Sequence, residues 1–262
     1  MFKKHILDIF SWILALGILL LSGRTKNGVF FLDVGQGDSI LIQNGNTQVL
    51  IDGGEDISVL YQIGKYMPVG DMNIEMVVLT HPHSDHLNGL FYILERYSVD
   101  KVLFNDIDYE SEIYDYFRSL DIQKEEAEEG SEYSISQWKL KVLYASDDVY
   151  NKDFNANNSS IVLELETDNY KYLFMGDAEV SEEEYLIEKG ILEDIDILKA
   201  GHHCSKTASS DKFLDIVKPK TAICSYGEGN KFGHPHQETL DKFKARNIQV
   251  YSTAEEGNIY VL

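Results

Sequence analysis

The sequence predicts an α/β fold in which two mixed β-sheets are flanked by helices. Short apolar or alternating runs, separated by glycine- and asparagine-rich turns, crowd the N-terminal part, while helix-like and strand-like segments alternate in the C-terminal third. That mixture suits two sheets with helices outside them better than one parallel doubly wound sheet. The 262 residues allow one large domain over 27–262 with a substantial core, after a distinct segment at 1–26.

Residues 29–34, 39–43 and 47–51 read as strands around the turns Gly35-Gln36-Gly37 and Asn44-Gly45-Asn46. Helices are expected at 57–67 and 87–97, and strands at 101–104 and 138–144. The acidic run 121–132 reads as a solvated edge. Residues 161–165 and 170–175 form a hairpin around Thr167-Asp168-Asn169. A helix near 181–189, a strand at 195–197, a helix near 210–217 and a strand at 221–225 then alternate. A helix at 237–245 and strands at 249–252 and 258–261 close the chain, with no internal repeat at the residue level.

The densest chemistry lies in Thr80-His81-Pro82-His83-Ser84-Asp85-His86, directly after the apolar residues 76–79. A short buried strand thus ends where three imidazoles and a carboxylate gather. His81 and His83, two apart on an extended turn, can face one metal ion, and Asp85 and His86 a second. Imidazole with carboxylate suits Zn²⁺, Mn²⁺ or Fe. Surface loops also collect His and Asp, but this spacing at a strand end argues for ligation.

Charge narrows the partners. The chain has 23 basic and 44 acidic residues, a net charge of −21. Residues 1–26 hold Lys3, Lys4, Arg24 and Lys26 against Asp8, which leaves −24 on the remainder. Such a surface repels polyanions and disfavours a broad nucleic-acid footprint, although a narrow metal-lined cleft can hold one phosphodiester. Two cysteines, Cys204 and Cys224, are too few for a disulfide scaffold or a cysteine-rich zinc site.

Lys3-Lys4-His5 precede an apolar stretch at 6–21 that is interrupted by Asp8 and Ser11. It reads as an uncleaved membrane anchor, with a cleaved signal peptide as the alternative. Leu20 and Leu21 stand where cleavage wants a second small residue. Either reading makes 27–262 extracytoplasmic, membrane-anchored through the N-terminal segment or secreted.

His81-x-His83-x-Asp85-His86 after one apolar strand, with Gly176-Asp177 after a later one, resembles the metallo-β-lactamase superfamily. Five further stretches are similar to the hydrolase domain of ComEC-type DNA-uptake proteins. They are Phe31-Leu32-Asp33-Val34-Gly35-Gln36-Gly37-Asp38, Leu50-Ile51-Asp52-Gly53-Gly54, Asn157-Asn158-Ser159-Ser160, Leu198-Lys199-Ala200-Gly201-His202-His203 and Gly233-His234-Pro235. The resemblance covers 28–262. It implies an αββα sandwich, two divalent metal ions (Zn or Mn), and a metal-dependent hydrolase whose nucleophile is a hydroxide held between the ions.

Carried over residue by residue, the resemblance makes Asp177 the carboxylate that bridges both metals. Read alone, Asp177 could instead cap a helix over 178–184. One of His202 and His203 completes the second site with Asp85, His86 and Asp177; His203 is taken as that ligand and His202 as a catalytic group contacting phosphate, with the reverse assignment left open. No His lies between His86 and His202, so the first site, left with His81, His83 and Asp177, lacks the superfamily's third imidazole. Asn157 or Asn158 stands in that interval, and Asn158 is taken to touch substrate. The first site is therefore expected to bind more weakly and to favour Mn²⁺.

The remaining candidates support these. Asp33, Asp38 and Asp52, at strand ends, could accept the free N–H of ligating imidazoles, or merely satisfy turn backbones. Lys199 and Lys206 read as contacts for an anionic substrate. Asp85 would orient the nucleophile, and His234, in a rigid turn, would donate to a phosphoryl oxygen. Cys204 is expected to pack inertly, with pairing to Cys224 and metal contact left open. The expected substrate is a phosphodiester, either short single-stranded DNA or a small diester. Lactone or β-lactam hydrolysis is the alternative enzyme, and a non-catalytic, metal-stabilised surface module associated with DNA uptake is the alternative of another class.

Overall fold

The computed structural model describes residues 26–146 and 155–262, together with Trp12. The anchor or signal reading of 6–21 therefore lies almost wholly outside the described residues. Among those described, no helix is long and apolar enough to cross a membrane.

In chain order the elements begin with β1 (Gly28–Phe31), β2 (Ile40–Asn44), β3 (Thr47–Ile51), α1 (Ser58–Ile63), β4 (Asn73–Ile74), β5 (Met76–Val78) and α2 (Ser84–Arg96). Next come β6 (Ser98–Val99), β7 (Val102–Phe104), α3 (Glu112–Ser119), β8 (Lys124–Glu126), β9 (Glu132–Ile135) and β10 (Trp138–Tyr144). They continue with β11 (Val162–Glu166), β12 (Lys171–Phe174), α4 (Val180–Lys189), β13 (Ile197–Lys199), α5 (Asp211–Val217) and β14 (Thr221–Cys224). The chain closes with α6 (Gln237–Ala245), β15 (Gln249–Ser252), α7 (Thr253–Glu256) and β16 (Ile259–Val261).

One sheet has the order β16-β1-β2-β3-β5-β7-β8 and the other β15-β14-β13-β12-β11-β10-β9, with β4-β6 as a small third pair. Both large sheets are mixed. The first is antiparallel from β16 to β3 and parallel from β3 to β8. The second is antiparallel from β9 to β12 and parallel from β12 to β15. Alternation along each strand builds the layers, because successive side chains point to opposite faces. Val29, Phe31, Ile40 and Ile42 face Leu163, Leu165, Tyr172 and Phe174 in the core between the sheets. Their neighbours Phe30 and Leu41 pack outward with Val59, Leu87 and Leu90 of α1 and α2. On the far side Leu173 and Leu198 pack against Leu186, Phe213 and Phe243 of α4, α5 and α6. The result is the expected αββα sandwich.

Several boundaries differ for local reasons. The second helix starts at Ser84 rather than 87, which puts Asp85 on its first turn, where a carboxylate is favoured by the helix dipole. The first helix stops at Ile63, capped by Gly64. β13 begins at Ile197 rather than 195, because the Asp196 carboxylate accepts the Lys171 N–H (2.9 Å) and pairs with Lys220 (2.7 Å). The unforeseen α3 is capped by Ser111, whose Oγ accepts the Tyr114 N–H, and it buries Tyr114 and Phe117. The acidic run does fall on edges: β8 ends one sheet and β9 the other.

A glycine seam presses α2 onto the loops after β1 and β3. Gly53 N–H donates to His86 O (2.8 Å), Gly89 N–H to Gly54 O (2.9 Å) and Asp38 N–H to Asp85 O (3.2 Å). A Cβ on Gly89 would stand 1.8 Å from Gly53 O, and one on Gly37 1.9 Å from Asp85 O. Gly89→Ala is therefore expected to cost about 3 kcal/mol or more in urea unfolding, as overpacking against backbone. Gly64→Ala, where the nearest atom is 3.4 Å away and φ is helical, should change stability by less than about 1 kcal/mol.

Candidate metal centre

The carboxyl ends of the parallel strands in both sheets converge on one cleft, the usual ligand position of open α/β sheets. β5 runs through Leu79-Thr80 into His81 and His83, and the first turn of α2 adds Asp85 and His86. From the other sheet, β12 delivers Asp177 through Gly176, whose φ of 53° makes the turn. β13 delivers His202 and His203, and the loop after β14 delivers His234.

His81, His83 and Asp177 form one group of ligand atoms within 4.8 Å of one another, and Asp85, His86 and His203 form another. His81 Nε2 and His83 Nδ1 are 3.0 Å apart. Asp177 lies between the groups, with Oδ2 3.7 Å from His81 Nε2 and 3.4 Å from His203 Nε2, and Oδ1 3.4 Å from His86 Nε2. Asp85 Oδ2 is 3.3 Å from His203 Nε2.

Neighbouring groups fix which nitrogen faces inward. His86 Nδ1–H donates to Asp52 Oδ2 at 2.8 Å. Asp52 also accepts the Thr80 N–H (2.8 Å) and the Thr80 hydroxyl (2.7 Å), so that hydroxyl is left to accept from His81 Nδ1 at 3.2 Å. His203 Nδ1 meets the carbonyl of Ser225 at 2.8 Å, which can only accept, and Asp38 Oδ1 at 3.3 Å. Each Nε2 is thereby left facing inward, able to offer its lone pair to a cation once any proton on it is released. His86 Nε2, His203 Nε2 and Asp177 Oδ1 are buried without a hydrogen-bond partner among the described residues. Buried imidazole nitrogens and a carboxylate oxygen that aim at one another in this way fit divalent metal ions.

The electrostatics carry the same demand. Burial opposes charge on His86 and His203, yet the Asp177 carboxylate beside them holds both well above the ordinary imidazole range. Burial and the charge on His86 push His81 well below it. Burial works to raise Asp85 and Asp177, but the facing imidazoles hold both below the ordinary carboxylate range. His234 falls to about 4, through burial and repulsion from His203, His202 and His236, and is neutral at physiological pH.

The predicted residues divide clearly. His81, His83, Asp85, His86, Asp177 and His203 come together, and Asp38 and Asp52 hold imidazoles. His202 and His234 line the cleft, with His202 Nδ1 held by Glu179 Oε1 (2.9 Å) and its Nε2 4.0 Å from Asp177 Oδ2. Asp177 is not a helix cap, because Glu179 takes that position for α4.

Five expectations are corrected. Asp33 serves its turn, its carboxylate accepting the Gly35 N–H at 3.2 Å. Lys199 is buried and paired with Asp38 Oδ2 at 2.5 Å, so it is not available to substrate. Lys206 is exposed outside the cleft, with its backbone N–H on His236 Nδ1. Asn158 spends its amide on Asn155 N–H, Ser181 and Glu182. It is Asn157 that lines the cleft, with Oδ1 buried and without a hydrogen-bond partner among the described residues. Cys204 is not inert but disulfide-bonded to Cys224, behind three consecutive left-handed residues, His202, His203 and Cys204 (φ 45°, 54° and 62°).

Sequence reasoning also missed Gln36, hidden in a glycine turn, which donates to Asp85 Oδ2 and accepts the Gly227 N–H, each at 3.3 Å. Tyr109 and Phe232, on the cleft walls, carried no motif.

This fold and ligand arrangement define a metallo-hydrolase domain. Residues 32–228 match the model of the metallo-beta-lactamase superfamily, and the chain belongs to that superfamily. It is similar to ComE operon protein 3 of Bacillus subtilis, 28% identical over 260 residues that span 90% of this chain and 33% of that protein. It is also similar to recombination protein 2 of Haemophilus influenzae (27% identical, 88% of this chain, 28% of that protein). A third relative is competence protein ComA of Neisseria gonorrhoeae (28% identical, 86% and 30%). The chain thus spans a third or less of the length of each, in keeping with the ComEC-type hydrolase domain its motifs resemble. The fold is shared with Tm1679, a metal-dependent hydrolase of the beta-lactamase superfamily (TM-score 0.58, 17% identity, 90% of this chain and 99% of that one). It is shared also with the metallo-beta-lactamase fold protein YhfI from Bacillus subtilis (TM-score 0.54, 12% identity, 87% and 96%).

The raised imidazoles set the pH dependence of metal uptake. Below their folded-state pKa, His86 and His203 carry protons that a cation must displace, so affinity falls as pH falls and binding releases protons. Calorimetry of the metal-free protein in buffers of different ionisation enthalpy is expected to show that release, with two unequal binding steps. Asp177→Asn should weaken both, and a single step unaffected by that substitution would contradict a shared ligand.

Proposed function

We propose that this protein is a metal-dependent phosphodiesterase of nuclease type, acting at a dinuclear centre. The observation that carries this reading is the sharing of Asp177 by two ligand groups at the floor of an open cleft. Among the described residues lining that cleft there is no Lys or Arg, so among them the charge of an anionic ester falls to the metal centre. Bound divalent ions would supply Lewis acidity and a water acidified towards neutral pH. Asp85, kept ionised and half-buried, orients the attacking water through an oxygen that Gln36 also holds. His234, neutral and on the cleft wall, offers one N–H to a phosphoryl oxygen. Asn157 presents an amide oxygen where the superfamily's third imidazole is missing. The competence and recombination names of the relatives favour DNA over a lactone or lactam.

We further infer that residues 1–26 anchor or export the domain and that it works outside the cytoplasmic membrane. The buried Cys204–Cys224 disulfide supports this, since such bonds persist in oxidising compartments. Protease added to intact cells should remove the domain, and complete protection would refute the placement.

The activity test is a panel of short single-stranded DNA, small phosphodiesters, lactones and β-lactams, run with Zn²⁺ and Mn²⁺ separately. Diester cleavage is expected, abolished to near background by Asp85→Ala or Asp177→Ala, and reduced about 10²-fold by His234→Ala with metals retained. Cleavage of lactams or lactones but no diester would overturn the substrate class. A loaded protein inert on the whole panel would make the domain a non-catalytic surface module.

A further inference from the structure

Phe232 stands on the cleft wall, 49% exposed, and the chemistry above does not use it. Its loop is fixed rather than loose. Asn230 Oδ1 accepts the N–H groups of Phe232 (3.1 Å) and His234 (3.0 Å), while Nδ2 donates to Gly227 O (3.0 Å) and His234 O (2.7 Å). Gln36 ties the same loop to Asp85. The Phe232 ring lies within 20° of parallel to His234, with centroids 5.7 Å apart.

Phe232 also lines two adjoining cavities. One, of about 330 Å³, is lined by His83, Asp85, Asp177 and His203, with Tyr109 and Ile113 on its other walls. The other, of about 320 Å³, shares Gln36, Ser84, Asp85 and Phe232 with it and contains Lys231 and Glu55. Lys231 Nζ is 5.1 Å from the Phe232 ring centroid.

A flat ring rigidly presented beside a phosphodiester site offers the surface on which a nucleobase stacks, whatever its sequence. Resting on the phosphodiesterase reading, we propose that Phe232 is a specificity-determining residue. It stacks on an unpaired base next to the scissile phosphate, so that the substrate is a single-stranded nucleic acid whose strand continues into the second cavity past Lys231. Glu55 in that cavity opposes a phosphate, so the ring, more than the ammonium, sets the preference. Duplex is rejected twice: its bases are already stacked, and the −24 charge outside residues 1–26 repels its dense phosphates.

The full chain, loaded with Mn²⁺, is tested for kcat/KM on a thymidylate hexamer and on an abasic hexamer carrying the same phosphates. The base-bearing strand should be preferred about tenfold or more. Phe232→Ala should bring that ratio towards one, and Phe232→Trp should restore it. A wild-type ratio near one overturns the stacking role, as does a ratio that Phe232→Ala leaves intact while both rates fall. If neither hexamer is cleaved, the phosphodiesterase reading falls, and binding of the same hexamers by fluorescence anisotropy decides the stacking separately. A base-dependent affinity lost in Phe232→Ala upholds it, and equal binding of both strands overturns it.

Discussion

Asp177 carries a carboxylate from one sheet to within 3.4 Å of His86 and 3.7 Å of His81 from the other, at a depth where only 2% of the residue is exposed. A desolvated anion costs several kcal/mol unless positive charge is brought to it. Protons on His86 and His203 meet part of that cost in the metal-free protein, and divalent ions are better suited to it. Much of the architecture follows from keeping this meeting point fixed. The two sheets must hold their carboxyl edges level, and α2 must not slide, because its first turn carries two of the groups. The glycine seam locks it there through backbone contacts that leave no room for a side chain.

The cluster is also layered by charge. Asp52 and Asp38 sit behind His86 and His203, and Lys199 sits behind Asp38. Each buried charge therefore has an opposite behind or before it, as buried ions require. Lys199 belongs to this inner scaffold, which explains how a lysine in an acidic protein can lie beside the site without facing it.

The fold and the ligand motif were legible because both obey short-range rules. Alternation placed Val29, Phe31, Ile40 and Ile42 on one face, and the run from His81 to His86 carries its donors within a single turn. Residues whose roles depend on distant partners were not legible. Asn157 and Asn158 are adjacent and alike, and only the cap that Asn158 makes with Asn155 and Glu182 separates them. Lys199 needed Asp38 from the opposite sheet, and Cys204 needed Cys224, brought near by the parallel pairing of β13 and β14; no local pattern announces either meeting. Phe232 had no signal at all, since an exposed aromatic in a loop reads the same whether or not it borders a cleft.

The covalent link between Cys204 and Cys224 bears on how the centre takes up and gives up its ions. It ties the residue after His203 to the end of the neighbouring strand, and the Ser225 carbonyl holds the imidazole itself. Neither restraint needs a cation. The ligands are therefore preorganised, and little of the binding energy goes into ordering the chain. Small zinc modules, by contrast, fold only when loaded. A centre built this way can exchange or lose its ions and keep its shape, so the ions it carries would follow the surrounding solution more than the history of its folding.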